Sequence, residues 1–409
     1  MRRVVITGVG AVSALGNDWA SVEQSLRAGQ NKVRQIDDLY QIEGMNTRLG
    51  APIDDFVTPA HYPRKKMRSM GRVSIMAVKA TEDALAQAGL IDSAVLTGGR
   101  AGVSYGSCIG TPGDVPALTR VVTDKTTVDI TASTYLRTMT HTATVNIGLF
   151  FGMTGRIIPT ASACTSGSQG IGYAYEAIKY GMQEVMVAGG AEEFHVTPVA
   201  VFDTLFATST RNDDPAHTPR PFDKNRDGLV IGEGACSLIL EEYEHALARG
   251  ATILGEIVGY GTNSDGAHVT EPNARTMAEA MRLALADAGL DASAIGYVNA
   301  HGTATDKGDI AETTATCEVL GEGVPISSLK SYIGHTLGAC GALEAWMTLE
   351  MMRCGWFAPT INLGEVDPAC GALDYIKGSG REITCDYAMT NNFAFGGVNT
   401  SLIIKLHKP

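Results

Sequence analysis

A segment that occurs twice limits the architecture of this chain more than any other feature. Ala84-Leu85-Ala86-Gln87-Ala88-Gly89-Leu90 returns as Ala284-Leu285-Ala286-Asp287-Ala288-Gly289-Leu290. Both copies are rich in helix formers, and each leads after a short turn into a strand-like run, Ala101 to Tyr105 and Ile295 to Ala300. Recurrence over so long a period indicates a duplicated unit, not a solenoid. A second match sets Ser237-Leu238-Ile239-Leu240 against Ser401-Leu402-Ile403-Ile404, two apolar strands that would close their halves. A third aligns Gly167-x-x-Gly170 with Gly338-x-x-Gly341 and so puts His335 opposite Cys164. The halves predicted are residues 1–250 and 251–409, with a functional site at the seam between them.

Strand-like and helix-like segments alternate from end to end, which argues an α/β fold. A chain of 409 residues with 44% hydrophobic and 19% charged residues supports a large core. A net charge of −12 argues against nucleic acid as a partner, and an acidic partner would need a local basic patch. No apolar run approaches the ~18 residues of a membrane span. Eight cysteines at irregular spacing, with no C-x-x-C, give neither a disulfide framework nor a zinc signature and suit a reducing cytoplasm. Met1-Arg2-Arg3 and the following apolar stretch look superficially like a secretion signal, but Thr7, Gly8 and Gly10 interrupt the run, which reads better as a first strand. Gly8-Val9-Gly10 has Ser13 where a dinucleotide fingerprint needs glycine, so it is weak evidence for NAD.

The chemistry centres on Thr160-Ala-Ser-Ala-Cys164-Thr-Ser-Gly-Ser-Gln-Gly170. It reads as a strand, a sharp turn and a helix start, with Cys164 at the turn. There the unpaired N–H groups and positive end of the helix would favour thiolate, and the same N–H groups could hold an oxyanion. Cys164 is the candidate nucleophile; a buried structural cysteine is the alternative. Two histidines lie in glycine-flanked turns after apolar strands, His301 in Asn299-Ala-His-Gly-Thr-Ala-Thr305 and His335 in Lys330-Ser-Tyr-Ile-Gly-His-Thr336. With Cys164 they form a coherent Cys/His/His constellation. A fourth glycine-rich turn, Asn391 to Asn399, could complete an oxyanion hole.

Gly106-Ser107-Cys108-Ile109-Gly110 offers a rival nucleophile elbow, but Gly110-Thr111-Pro112-Gly113 reads as loop where a helix should begin. A zinc site of Cys164, His301 and His335 lacks paired ligand spacing, so no metal is assigned. Thr208 to Asp227, with three prolines, reads as a long surface loop. The densest basic run, Arg64 to Arg72, is either a solvated helix face or a docking patch.

Taken together, Ala161-Ser-Ala-Cys164-Thr-Ser-Gly167, Asn299-Ala-His301-Gly-Thr303, Lys330-x4-His335 and Phe393-x-Phe395-Gly396-Gly397 resemble the signature set of the β-ketoacyl-acyl-carrier-protein (ACP) synthases. The likeness runs over essentially the whole chain. Ser264-Asp-Gly-Ala-His268-Val-Thr270 and Ser209-Thr-Arg-Asn-Asp213 bring it nearest to the 3-oxoacyl-ACP synthase II group, or to ketosynthases of polyketide and aryl-polyene pathways.

The resemblance implies a thiolase-type, five-layered α/β/α/β/α fold and decarboxylative Claisen condensation without cofactor. Cys164 would carry the acyl group, with the N–H groups of Cys164 and Phe395 as oxyanion hole. His301 and His335 would hold the malonyl thioester oxygen, and Lys330 would be their buried electrostatic partner, supported by Asp309 or Glu312. Thr303 and Thr305 match pantetheine-binding positions, Ile109, Phe393, His268 and Thr270 match substrate-binding positions, and Lys65, Lys66, Arg68 and Arg72 match the ACP-docking region. Asn299 and Glu344 stand where some relatives bind a monovalent cation. The expected partners are acyl-ACP and malonyl-ACP, and a second subunit that is either identical or a homologous chain-length factor. Asp306-Lys307, Ala394, Phe206, Thr134, Met139 and His141 depart from the usual pattern and leave chain length open. The alternatives are a non-catalytic chain-length-factor-like subunit and a thiolase acting on coenzyme A thioesters.

Overall fold

The computed structural model describes residues 1–408. Eleven strands form its main sheet: β1 (Val4–Ser13), β2 (Ala101–Gly106), β3 (Ile157–Thr160), β4 (Val185–Glu192), β5 (Gly234–Glu242), β6 (Gly255–Ser264), β7 (Ile295–Asn299), β8 (Pro325–Ser327), β9 (Asp374–Tyr375), β10 (Tyr387–Ala394) and β11 (Val398–Leu406). Their order across the sheet is β9-β8-β7-β10-β11-β6-β1-β5-β4-β2-β3. The strands β1, β5, β4, β2 and β3 repeat in the same order as β6, β11, β10, β7 and β8, with β9 added at one edge. The two sets join only where Val4, Val5 and Ile6 pair antiparallel with Ile257, Glu256 and Gly255.

Six of the helices cover these strands: α1 (Arg72–Gln87), α2 (Thr142–Phe151), α3 (Ser166–Lys179), α4 (Ala274–Ala288), α5 (Asp306–Leu320) and α6 (Cys340–Cys354). Helices α1 and α2 pack outside the first set, and α4 and α5 outside the second. Helices α3 and α6 lie between the sets and touch strands of both, which completes five layers. The middle layer must be apolar all round. Accordingly Ile171, Ala174, Ala342 and Trp346 share one cluster with Leu238 and Leu402 from the two sets of strands.

The repeated heptapeptide occupies matching places at the ends of α1 and α4. Val73, Ala77, Ala80 and Ala84 recur at helical spacing on the buried face of α1. This face lies so close to β1 that a Cβ on Gly8 would stand 2.2 Å from the Ala84 carbonyl oxygen. On β6 a Cβ on Gly259 would stand 2.3 Å from the Ala284 oxygen. Gly8 and Gly10 therefore serve strand–helix contact, not a phosphate loop. The Ser237 and Ser401 runs also match: Gly8 pairs with Ile239 and Gly10 with Ser237, as Gly259 pairs with Ile403 and Gly261 with Ser401.

One alignment needs correction. Helix α3 is preceded by a 3-10 turn, Ala163–Thr165, and α6 by the turn Leu337–Ala339. Each turn starts on a non-glycine residue in the left-handed region, Ala163 at φ 51° and Leu337 at φ 49°. Cys164 thus corresponds to Gly338 and Gly167 to Gly341, while His335 lies just ahead of its turn. In the slipped register both glycines of the first turn meet glycines, whereas in the observed one Gly170 meets Glu344, which is how the sequence misleads. The Thr208 to Asp227 stretch contains no strand or α-helix, as expected, but it is not superficial: Thr218, Phe222 and Asp223 are buried. The Asp223 carboxylate accepts the N–H groups of Asn225, Gly364 and Glu365, fastening this stretch to the second half.

Candidate active site

Strand β3 ends at Thr160, and the chain must then turn sharply into α3. Small hydroxyl residues brace that turn: Ser166 Oγ accepts the Ser162 N–H at 2.9 Å and donates to the Ala163 carbonyl at 2.7 Å. Thr165 Oγ1 donates to the Ser162 carbonyl at 2.8 Å. These bonds hold Ala163 in a left-handed conformation that costs on the order of 1 to 3 kcal/mol, and they aim Cys164 Sγ into the seam. The amide N–H groups of Phe395 and of Cys164 itself face the sulfur.

The seam brings three predicted side chains together. His335 Nε2 lies 2.9 Å from Cys164 Sγ, and the His301 and His335 rings meet edge to face with centroids 5.1 Å apart. All three residues are buried. The backbone N–H of Leu337 donates to His335 Nδ1 at 3.1 Å, so the neutral ring carries its proton on Nε2. Asn392 Nδ2 approaches His301 Nδ1 at 3.4 Å and favours the same tautomer there. Burial pushes both imidazoles well below their ordinary range, with the Lys330 ammonium adding to the effect. The result is two neutral rings offering Nε2–H beside one thiol.

The same tautomer bears on the metal question. The donor atoms of Cys164, His301 and His335 lie within 4.8 Å of one another. A metal-binding histidine usually donates from its outer nitrogen, whereas His335 accepts there and so presents a proton toward the cluster. The trio is built as a set of hydrogen-bond donors, not as a metal cage.

The thiol itself departs from expectation. Burial pushes Cys164 up to about 11, against the pull of Lys330 and the two N–H groups. Desolvation thus outweighs the helix end, and the resting group is a thiol.

Lys330 is buried and forms an ion pair with Glu344 on α6, not with Glu312 or Asp309. Glu344 also accepts from Asn392 Nδ2 at 2.8 Å, so Asn392 links the ion pair to His301. Glu312 instead seats the first histidine turn: its two carboxylate oxygens accept the N–H groups of His301 and Gly302, each at 2.7 Å. Asp309 accepts from Phe222 and Ala304 at 2.7 and 3.1 Å.

A cleft of about 390 Å³ opens from these groups to solvent. Thr303, Thr305, Thr270, Phe393 and Phe395 line it, together with Phe202 and Met277. His268 and Ile109 do not line it. His268 is exposed, and its Nδ1 accepts the N–H groups of Thr270 and Glu271, so it shapes the loop without facing the cleft. In the basic run Lys65, Lys66 and Arg68 are exposed, whereas Arg72 is spent on buried Glu233 through Nε at 2.6 Å. Cys108, the rival nucleophile, is pushed well above its ordinary range by burial and by the Glu192 carboxylate.

Two residues of this region have no place in the sequence reading. Asn392 is one. Glu192 is the other: buried at the end of β4, it accepts the N–H groups of Cys108 at 2.7 Å and Gly338 at 3.1 Å, tying the turn after β2 to the one after His335. A carboxylate closing an otherwise apolar strand was the available signal.

This arrangement has counterparts in known proteins. Residues 1–246 match the family description "Beta-ketoacyl synthase, N-terminal domain" and residues 254–364 match "Beta-ketoacyl synthase, C-terminal domain". The 3-oxoacyl-[acyl-carrier-protein] synthase 2 of Vibrio harveyi is 38% identical, over 99% of this chain and 98% of its own. A crystal structure of a β-ketoacyl synthase from Burkholderia phymatum STM815 superposes with a TM-score of 0.99 at 60% identity, covering 100% of both chains. A type II polyketide ketosynthase solved with its acyl-carrier protein, AntDE:AntF, is 29% identical with a TM-score of 0.88, over 99% of this chain and 100% of that one. With the Cys/His/His cleft, the duplicated layers and matches of this extent, the chain belongs to the β-ketoacyl synthase family.

Proposed function

We propose that the protein joins an acyl group, held on Cys164, to the decarboxylated remainder of a malonyl thioester, with both substrates delivered on acyl carrier protein. The observation that carries this reading is the 2.9 Å contact between Cys164 Sγ and His335 Nε2, with His301 at the same cleft and both imidazoles held neutral.

In the first stage Cys164 Sγ attacks the acyl thioester carbonyl. The new S–C bond forms as the bond to the pantetheine sulfur breaks, and that thiol leaves with the proton lost by Cys164. The N–H groups of Cys164 and Phe395 stabilise the oxyanion between. In the second stage the malonyl thioester oxygen accepts from the Nε2–H groups of His301 and His335. Carbon dioxide departs, its electron pair stays on the α-carbon as an enolate, and that carbon attacks the acyl-Cys164 carbonyl. The product is longer by two carbons and Cys164 is freed. Imidazolium would be a poorer choice than neutral imidazole, because two buried cations could not share this space with Lys330. Thr303 and Thr305 line the path of the pantetheine arm, and Lys65, Lys66 and Arg68 offer positive charge to an acidic carrier.

Asn299 Oδ1, Asn391 Oδ1 and Asn392 Oδ1 are buried without partners, and Asn392 contacts Glu344. The Asn299 and Asn392 oxygens and the carboxylate fit a monovalent cation, which would hold Asn392 behind His301. The halves 1–250 and 251–409 act as one catalytic unit. A second subunit, identical or homologous, fits the free edge of β3 and the exposed Leu149 and Ile157 beside it. Eight free cysteines suit the cytoplasm.

Incubation with acyl-ACP and malonyl-ACP tests the reading. Condensation requires both, intact mass shows the acyl group on the protein, and Cys164→Ala abolishes acyl transfer. A Cys164→Ala variant that still becomes acylated and condenses would overturn it. A non-catalytic subunit would not need this intact triad. A thiolase would need a second thiol on the cleft, whereas Cys340 points its Sγ at the Cys164 carbonyl, at 3.2 Å, and does not line the cleft.

A further inference from the structure

Four residues line one wall of the cleft at every second position: His301, Thr303, Thr305 and Lys307. Their burial falls steadily outward. His301 is 7% exposed and Thr303 8%, Thr305 is intermediate, and the Lys307 side chain at the mouth is 69% exposed. The chemistry changes in the same order, from imidazole through two hydroxyls to an ammonium. A phosphopantetheine arm has the matching sequence of groups: a thioester at its tip, amides along its length and a phosphate at the far end.

Among the described residues Lys307 is the one Lys or Arg side chain lining the cleft. Its partner is Glu271, another cleft-lining residue, at 2.9 Å, in a pair exposed on both sides. Solvent screens both charges of such an exposed pair, so an incoming anion can displace the carboxylate. The other carboxylates at the mouth are already engaged: Asp306 pairs with Arg226 at 3.2 Å, and Asp265 accepts from Asn399 Nδ2 at 2.7 Å.

We propose that Lys307 is a specificity residue for the arm, exchanging Glu271 for the phosphate as the thioester reaches Cys164. The proposal rests on the reading of the cleft as a pantetheine-arm site. It assigns the phosphate contact to a residue inside the cleft, apart from the carrier's own surface. Its consequence is that the enzyme distinguishes a phosphorylated arm from a dephosphorylated one even when no carrier protein is present.

The test compares acylation of Cys164, read by intact mass, with acyl-4′-phosphopantetheine and with acyl-pantetheine. The wild-type ratio of kcat/KM values, phosphorylated over dephosphorylated, should be about three to ten. Lys307→Met should bring that ratio close to one, and Glu271→Gln should raise it above wild type. A residue with only a structural role would change both substrates alike and leave the ratio intact. An unchanged ratio in Lys307→Met, with the wild type still condensing acyl-ACP and malonyl-ACP, would overturn this inference and leave the function standing. Acyl-coenzyme A and acyl-ACP form two further arms. A Lys307→Met penalty with both supports the proposal, and a penalty confined to coenzyme A would overturn the assignment to the carrier's arm. Failure of the wild type to accept any pantetheine thioester would remove the reading of the cleft and the inference with it.

Discussion

At the scale of single residues, the chemistry depends on which atoms hold protons. His335 accepts a backbone N–H at Nδ1, and that one bond converts a histidine beside a thiol from a base into a donor. Burial nevertheless keeps Cys164 from being a preformed thiolate. Its alkylation by iodoacetamide should keep accelerating from neutral pH toward about 11, because burial disfavours the charged form until then. Lys330→Met should move that rise to higher pH, since the ammonium pulls the thiol down. A plateau below pH 8 would contradict both statements. Cys164, His301 and His335 were legible in the sequence because reactive residue types stood in small-residue turns after apolar strands. The partner of Lys330 was not, because Glu344 is brought there by α6, and spacing along the chain carries no information about that contact. The protonation state was hidden for a related reason: a helix end and burial act in opposite directions, and only the structure shows how deep the sulfur lies.

Between elements, the site depends on two helix starts pressed together. A Cβ on Gly167 would lie 2.7 Å from the Gly338 oxygen, and one on Gly341 would lie 2.6 Å from the Ser168 amide nitrogen and 2.7 Å from Asn392 Oδ1. Gly341→Val should therefore destabilise the fold by about 1 to 3 kcal/mol or more, read from chemical denaturation, and should slow acylation of Cys164. Gly113→Ala is the control, since its Cβ would meet nothing within 4 Å and its backbone is not left-handed. Equal stability of the two variants would show that the helix starts tolerate separation. The repeated strands and helices were readable because helix α1 on β1 and helix α4 on β6 solve the same packing problem with the same alanines and glycines. The register of the α3 and α6 starts was not readable. A register slipped by three residues sets two glycines against two, whereas the true one sets Cys164 against Gly338 and Gly170 against Glu344, so the glycine pattern favours the wrong register.

For the molecule as a whole, an acidic protein must meet an acidic carrier through local positive charge. Lys65 and Lys66 are exposed, so replacing both by Glu should raise KM for carrier-borne substrates and spare pantetheine thioesters. Equal losses with both substrate types would indicate a folding defect instead. Arg72 stands apart from that patch, because its ion pair with buried Glu233 is structural, and Arg72→Ala should cost stability before it costs docking. The basic run was visible in sequence, but the division of labour within it depends on which side chains the fold turns inward. In the proposed reaction both halves are needed, the first supplying the sulfur and the second the two rings. That division can be read by timing the two stages apart in His301→Ala. This variant should still accept an acyl group on Cys164, seen as a mass shift, while decarboxylation of malonyl-ACP falls by about a hundredfold or more. Decarboxylation at the wild-type rate, with acylation intact, would contradict the claim that the paired imidazoles hold the enolate.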